Sequence, residues 1–204
     1  MRILIGLTVL LIGVTGCAIL TQLSQSVEEI PSSRLTCASN PEFVDGNLET
    51  VSTFAVNGVV RKAYQVFDDS SRRISSAQRR YVTLVDGNRR TEAIIKLDVP
   101  TYVSYVEVYP GPGRIPNFAM MTTTDDPPRF DVAFERVSDK QHEDIEGLTP
   151  VRFSIQREIL YLRMSADSIE DKQNSIRNPN ANIEIPLKGA EIREVKFFGI
   201  QHSL

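Results

Sequence analysis

From residue 41 onward the chain nowhere keeps the 3.6-residue apolar period of a long helix. Its β-branched and aromatic residues come in short runs, each stopped by Gly, Pro or Asn. In Glu92–Leu97, Ile95 and Leu97 alternate with Lys96 and Asp98, which predicts a strand with one buried face. Tyr102–Tyr109 (YVSYVEVY) predicts another, and Pro110-Gly111-Pro112-Gly113 ends it. Phe130–Arg136, Val151–Ile155, Ile159–Met164, Ile183–Leu187 and Ile192–Gly199 extend the series. Tyr81–Val85 and Glu92–Leu97 flank Asp86-Gly87-Asn88, which reads as a hairpin turn because Gly and Asn tolerate positive φ. Short helical turns fit Ser71–Arg80 and Ser168–Asn174. Many short strands with Gly and Pro turns define an all-β sandwich. At 204 residues, 41% hydrophobic and 24% charged, the chain can bury a useful core in one ordinary domain.

The first residues follow another logic. Arg2 precedes an apolar run from Ile3 to Val14, too short for the roughly 20 residues that span a bilayer but of signal-peptide length. Val14-Thr15-Gly16-Cys17 resembles the bacterial lipobox. That resemblance implies a lipoprotein precursor: residues 1–16 as signal peptide, cleavage before Cys17, and acyl chains on its sulfur. Two or more chains make anchoring lasting. The implied location is the cell envelope, and Ala18 rather than Asp after the cysteine points to the outer membrane of a Gram-negative host. Residues 17–40, rich in Gln, Ser and Glu with Pro31, read as a lipidated cysteine and flexible tether, leaving 41–204 as the domain. With Cys17 acylated, Cys37 has no partner in the chain. It reads as a small buried residue, with an intermolecular disulfide as the alternative.

The inventory of reactive groups is thin. A net charge of −3 gives no reason to expect nucleic acid. There is no Trp, and there are two His and two Cys. His142 lies in a charged loop and His202 in the tail, and no nucleophile–base pair or phosphate-cradling loop is recognisable. No catalytic residue and no enzyme activity are therefore expected. The acidic doublets Asp68-Asp69 and Asp125-Asp126 read as solvated loops. Residues 61–90 stand apart, with eight basic side chains against three acidic ones. Arg72, Arg73, Arg79, Arg80, Arg89 and Arg90 are candidate binding residues for carboxylates or phosphates. The alternative is pairing with the domain's own acids, such as Asp167, Glu170 and Asp171. The loop Pro110–Pro128 holds Ile115, Phe118, Met120 and Met121, as a contact surface or as a cover folded over the core.

Five segments together resemble the discoidin, or galactose-binding-like, jelly-roll family: Val44-Asp45-Gly46-Asn47-Leu48-Glu49-Thr50, Ala93–Pro100, Val103–Tyr109, Ile159–Met164 and Gly189–Gly199. The resemblance spans roughly residues 41–200. It departs from the family where a Trp is common, since Ser52 and Phe54 occupy that stretch, and in a long segment of about 55–90. It implies a jelly-roll β-sandwich with few short helical turns. In carbohydrate-binding relatives the early loop holds a structural calcium ion. The matching residues here are Asp45, Asn47, Thr50 and Glu194, and a plain turn with Glu194 facing solvent is the alternative. The expected function is a non-catalytic, membrane-anchored lipoprotein that binds a glycan or an envelope protein. A scaffold that holds a partner at the membrane is the alternative.

Overall fold

A computed structural model describes residues 26–65, 70–73, 75, 80–129, 133–137, 141–178 and 182–200. The signal peptide, Cys17, Asp68, Asp69, Arg79 and His202 lie outside the described residues.

The strands are β1 (Val27–Ile30), β2 (Leu35–Cys37), β3 (Ser52–Thr53), β4 (Gly58–Tyr64), β5 (Tyr81–Gly87), β6 (Arg90–Pro110) and β7 (Arg114–Thr123). They continue with β8 (Glu135–Arg136), β9 (Glu143–Glu146), β10 (Val151–Asp167), β11 (Ile169–Glu170), β12 (Ile176–Arg177), β13 (Ile183–Lys188) and β14 (Glu191–Ile200). The described helical residues form only 3-10 turns, at Ser32–Arg34, Pro41–Val44 and Lys172–Asn174. The expected all-β, two-sheet class is therefore present. The larger sheet runs β1-β14-β6-β10-β7-β8, with β2 beside β6, β3 beside β14 and β9 beside β7. The smaller runs β11-β13-β4-β5, with β12 beside β13.

The long antiparallel pair β6–β10 organises the larger sheet. The pairing runs from Val108 opposite Val151 to Arg90 opposite Asp167, with a register shift between Thr101/Ile159 and Lys96/Tyr161. That shift falls on Asp98-Val99-Pro100, where Pro100 cannot donate to a ladder. The segments predicted as separate strands thus join, and each half takes its own neighbour. The first half of β6 pairs with β2 and the second with β14. Side chains on the inner face close the main core, including Phe43, Phe54, Ile95, Val106, Phe118, Phe153, Leu162 and Phe197. Phe54 stands edge-on to Phe43, with ring centroids 5.2 Å apart. A second, small core of Val60, Ile185 and Leu187 ties the long insertion to β13.

Four expectations need correction. Residues 27–37 are not tether: β1 pairs with β14 and β2 with β6. A polar average over 17–40 concealed Ile30, Leu35 and Cys37, all buried. The thiol of Cys37 is enclosed, 3.7 Å from Ser39 Oγ, as the simpler reading had it. The segment Pro110–Pro128 is not a loop, because its centre is β7, paired with β10. Ile115, Phe118 and Met120 are buried there, so these residues do cover the core. Asp86-Gly87-Asn88 makes no β5–β6 hairpin, since β5 pairs with β4. Gly87 adopts φ +110° because the chain passes there, and a Cβ would lie 2.4 Å from Asn57 O and Gly58 Cα. Lastly, the strand expected at Phe130–Arg136 reaches β structure only at Glu135–Arg136, residues 130–132 being outside the described set.

Candidate functional site

Two places bring functional side chains together: the junction of the early loop with β14, and a polar cleft beside the end of β10.

At the junction, Phe43 and Val44 of a 3-10 turn are buried and fix where the loop leaves the core. Asp45 Oδ1 accepts from Asn47 N at 2.7 Å, and Gly46 adopts φ +78°. The Gly46 N–H then points at β14 and donates to Glu194 Oε2 at 2.9 Å. Glu194 is 2% exposed. Burial, opposed in part by the Gly46 N–H and reinforced by the neighbouring Asp45 carboxyl, raises its pKa from 4.5 to about 7. The alternative in which Glu194 faces solvent is thereby excluded. Asn47 and Thr50 turn to each other, with Asn47 Nδ2 donating to Thr50 Oγ1 at 2.9 Å and Asn47 Oδ1 accepting from Glu49 N at 3.1 Å. So the fold joins Asp45 to Glu194 and Asn47 to Thr50. Among the described residues no cationic side chain neutralises Glu194. A buried carboxyl next to a second one is chemistry that a hard cation favours, although among the described residues no third acidic, His or Cys side chain joins them.

The basic segment does not act as one patch. Arg90, the first residue of β6, turns inward. Its Nη1 donates to Asn117 O at 2.7 Å and to Asp167 Oδ1 at 3.0 Å, and its Nη2 donates to Ser165 Oγ at 2.7 Å. Asn117 Nδ2 takes the other Asp167 oxygen at 3.0 Å. This is the pairing with internal acids that stood as the alternative. Lys62 likewise reaches Glu170 at 3.7 Å, and Arg61 reaches Asp86 at 3.0 Å. Arg72, Arg73 and Arg80 are exposed on the insertion, away from the cleft. Of the five that are described, Arg89 alone lines it.

The cleft has a volume of about 710 Å³ and lies between β7, β11 and the Lys172–Asn174 turn. Arg89, Arg114, Lys172 and Lys188 line it together with Asp167, Glu170 and Asp171. Most of these charges are already engaged. Arg114 sits 3.3 Å from Asp144 and Lys188 3.9 Å from Glu191. Asp171 accepts from Asn174 N and Nδ2, which hold its carboxyl below the usual carboxylate range. The Ser168 hydroxyl in the wall is buried without a partner. Such a lining sets charged donors and acceptors side by side, together with the apolar surface of Pro116 and Ile169. Arg114, Lys172, Gln173 and Lys188 went unnoticed in the sequence because they come from three distant segments. The only local hint was the acidic run from Asp167 to Asp171.

His142 is tied to β7: its Nδ1 lies 2.9 Å from Asn117 Oδ1, and its backbone N–H donates to Phe118 O at 2.7 Å. Asp126 is engaged too, accepting from Lys96 Nζ at 3.1 Å and Tyr161 OH at 2.6 Å.

No protein-family profile matches the chain. No curated protein matches it by sequence. Solved structures with a similar fold include a carbohydrate-binding module of Clostridium perfringens in complex with GlcNAc-α-1,4-galactose, 14% identical, with 85% of this chain and 96% of that one covered and a TM-score of 0.43. A family 32 module of the same organism in complex with galactose is 13% identical, with 85% and 99% covered and a TM-score of 0.45. The C-terminal domain of a chitobiase from Bacteroides fragilis is 10% identical, with 86% and 100% covered and a TM-score of 0.48. At these scores the likeness is one of β architecture and assigns no ligand.

Proposed function

We propose that the protein is a non-catalytic glycan-binding lipoprotein, held at the cell envelope by lipid on Cys17. The observation that carries the reading is the mixed-charge cleft around Arg89, Lys172 and Asp171. Pockets for apolar ligands and cofactors are lined mainly by hydrophobic and aromatic side chains, whereas this one pairs guanidinium and ammonium donors with carboxylate acceptors. That pattern suits a ligand rich in hydroxyls. Its described lining residues are polar, charged or aliphatic, so recognition there rests on hydrogen bonds.

Calorimetry or a glycan array, using the chain from Ser26 onward, tests this. The chain must begin there because β1 starts at Val27. Saturable binding to a galactose-containing or acidic glycan is expected, and flat responses across both classes reject the carbohydrate reading. The anchor is tested separately: Cys17→Ser should abolish fatty-acid labelling and membrane fractionation. For the early loop we assign a structural calcium shell to Asp45, Asn47, Thr50 and Glu194, with Glu194 supplying the buried carboxylate.

The second reading is a scaffold that holds an envelope protein. It is favoured by the outer face of β6 and β14. There Tyr105 and Phe198 stack with centroids 4.6 Å apart, and Arg152 lies 4.0 Å over the Tyr105 ring. Such rings and cations are typical of protein interfaces. Crosslinking in membranes followed by purification separates the readings, because a scaffold recovers a stoichiometric partner and a glycan reader does not.

A further inference from the structure

The β4–β5 part of the long insertion, which the functional reading leaves unused, ends in a strand with one edge unpaired among the described residues. β5 is the terminal strand of the smaller sheet, and among the described residues only β4 pairs with it. Seven residues long, it exposes Val82, Leu84 and Val85, with Leu84 57% exposed. An edge of that length and apolarity is a template for another strand. The small core fixes which way its groups point. Gln65 N donates to Arg80 O at 2.9 Å and Asn88 N to Asn57 O at 3.3 Å. The register between them is unbroken. The even-numbered residues of β5 therefore spend their backbone groups on β4, and Tyr81, Thr83 and Val85 turn theirs to the open edge. Val60, opposite Val85, faces the small core. The even residues Arg80, Val82, Leu84 and Asp86 consequently share the outer face.

We infer that β5 pairs antiparallel with β5 of a second copy of this chain, across a two-fold axis at Thr83. Of the registers open to the outward-facing residues, the one centred on Thr83 alone matches the side chains. It sets Arg80 opposite the second copy's Asp86 at both ends and Val82 opposite Leu84 between them. Tyr81 and Val85 exchange backbone hydrogen bonds across the axis, as the two Thr83 residues do with each other. Arg80 has no side-chain partner among the described residues. Asp86 is 64% exposed and bonded on one side to Arg61, which leaves room for a second guanidinium. Strand addition draws affinity from the main chain and specificity from the alternate side chains. A seven-residue pairing falls short of the ~1,200 Å² of a stable interface, so a reversible, micromolar dimer is expected.

The test uses the full chain carrying Cys17→Ser, purified in detergent, so that buried Cys37 is the one remaining thiol. Sedimentation velocity across the micromolar range should show a monomer–dimer equilibrium. Arg80→Glu should raise its Kd about tenfold or more by facing two carboxylates, with the melting curve unchanged. The charge swap Arg80→Glu/Asp86→Arg should bring the affinity back. Under mild oxidation Thr83→Cys should form a disulfide-linked dimer, because a hydrogen-bonded antiparallel pair sets its Cα atoms about 5.5 Å apart, within disulfide reach. Val85→Cys, opposite Tyr81 rather than itself, should not. A chain monomeric throughout, a dimer indifferent to Arg80→Glu, or crosslinking through position 85 instead of 83 would each overturn the inference. Pairing with a different protein's strand would appear as the first of these.

Discussion

The Gly46 N–H donates to Glu194 Oε2 at 2.9 Å, joining two residues 148 positions apart. Through this bond the early loop is fixed to β14, and the Glu194 carboxyl is sealed beside Asp45.

The seal gives a pH dependence of definite sign. Unfolded, the carboxyl titrates at 4.5, and folded at about 7. Between those values the folded state holds a proton that the unfolded state has lost, so stability falls as pH rises through the window. The contribution is complete below the lower value and gone above the upper one. In chelator, the melting temperature should decline from about pH 5 to about pH 8, reflecting at most ~3 kcal/mol. Glu194→Gln should flatten that decline and melt higher at the alkaline end. Equal slopes in the two proteins would refute it.

Calcium should act in the opposite direction. A cation bound between Asp45 and Glu194 favours the ionised pair and removes the penalty. At about 100-fold excess over its Kd, calcium should stabilise the fold by ~2.7 kcal/mol. The measurement is a pair of melting curves at neutral pH, with calcium and with chelator. Asp45→Asn and Glu194→Gln should each remove the difference. An unchanged midpoint in the parent protein would argue against the site.

Arg90 supports the fold more than it binds. It bridges Asn117 O, Asp167 and the buried Ser165 hydroxyl in a planar fork. Arg90→Ala should cost about 1–3 kcal/mol by chemical denaturation, since partners buried at Ser165 lose their donor. Arg90→Lys should recover little, because an ammonium cannot span the three acceptors. A neutral result for alanine would show that water replaces the guanidinium.

Arg89, one residue earlier, should behave in the opposite way. It is exposed and lines the cleft. Arg89→Ala and Lys172→Ala should leave the melting temperature within about 1 °C of the parent, as surface changes do. Both should weaken glycan binding measured by calorimetry. Loss of stability without loss of binding would move the site elsewhere.

Much of the β pattern was legible in local alternation. In β14 the buried Val195, Phe197 and Gly199 are the period-2 face that the sequence displays, while a register shift separates them from buried Ile192. The early loop and Glu194 were also legible, because the family resemblance carries both. β2 was missed because three residues are too few to show a period. β7 was missed because its central position hides both faces, so apolar residues did not alternate. Beyond the acidic run from Asp167 to Asp171 the cleft had no sequence signature: Arg89 on the bend before β6, Arg114 of β7 and Lys188 of β13 meet only in the folded chain.

By itself, then, the sequence determined most strand faces, the strand break after Tyr109 and the candidate export signal, all of which depend on neighbours a few residues apart. Tertiary structure decided which strands pair, and with that the fate of each charge. Asp86-Gly87-Asn88 has every local mark of a hairpin, yet β4 closes against β5, because Val60 finds its core beside Ile185 and Leu187. Adjacent Arg89 and Arg90 diverge for the same reason: Arg89, on the bend before β6, stays exposed, while Arg90, the first residue of β6, is set beside β10 and meets Asp167. Local sequence sets which side chains share a face, and only the packed sheet sets what that face meets.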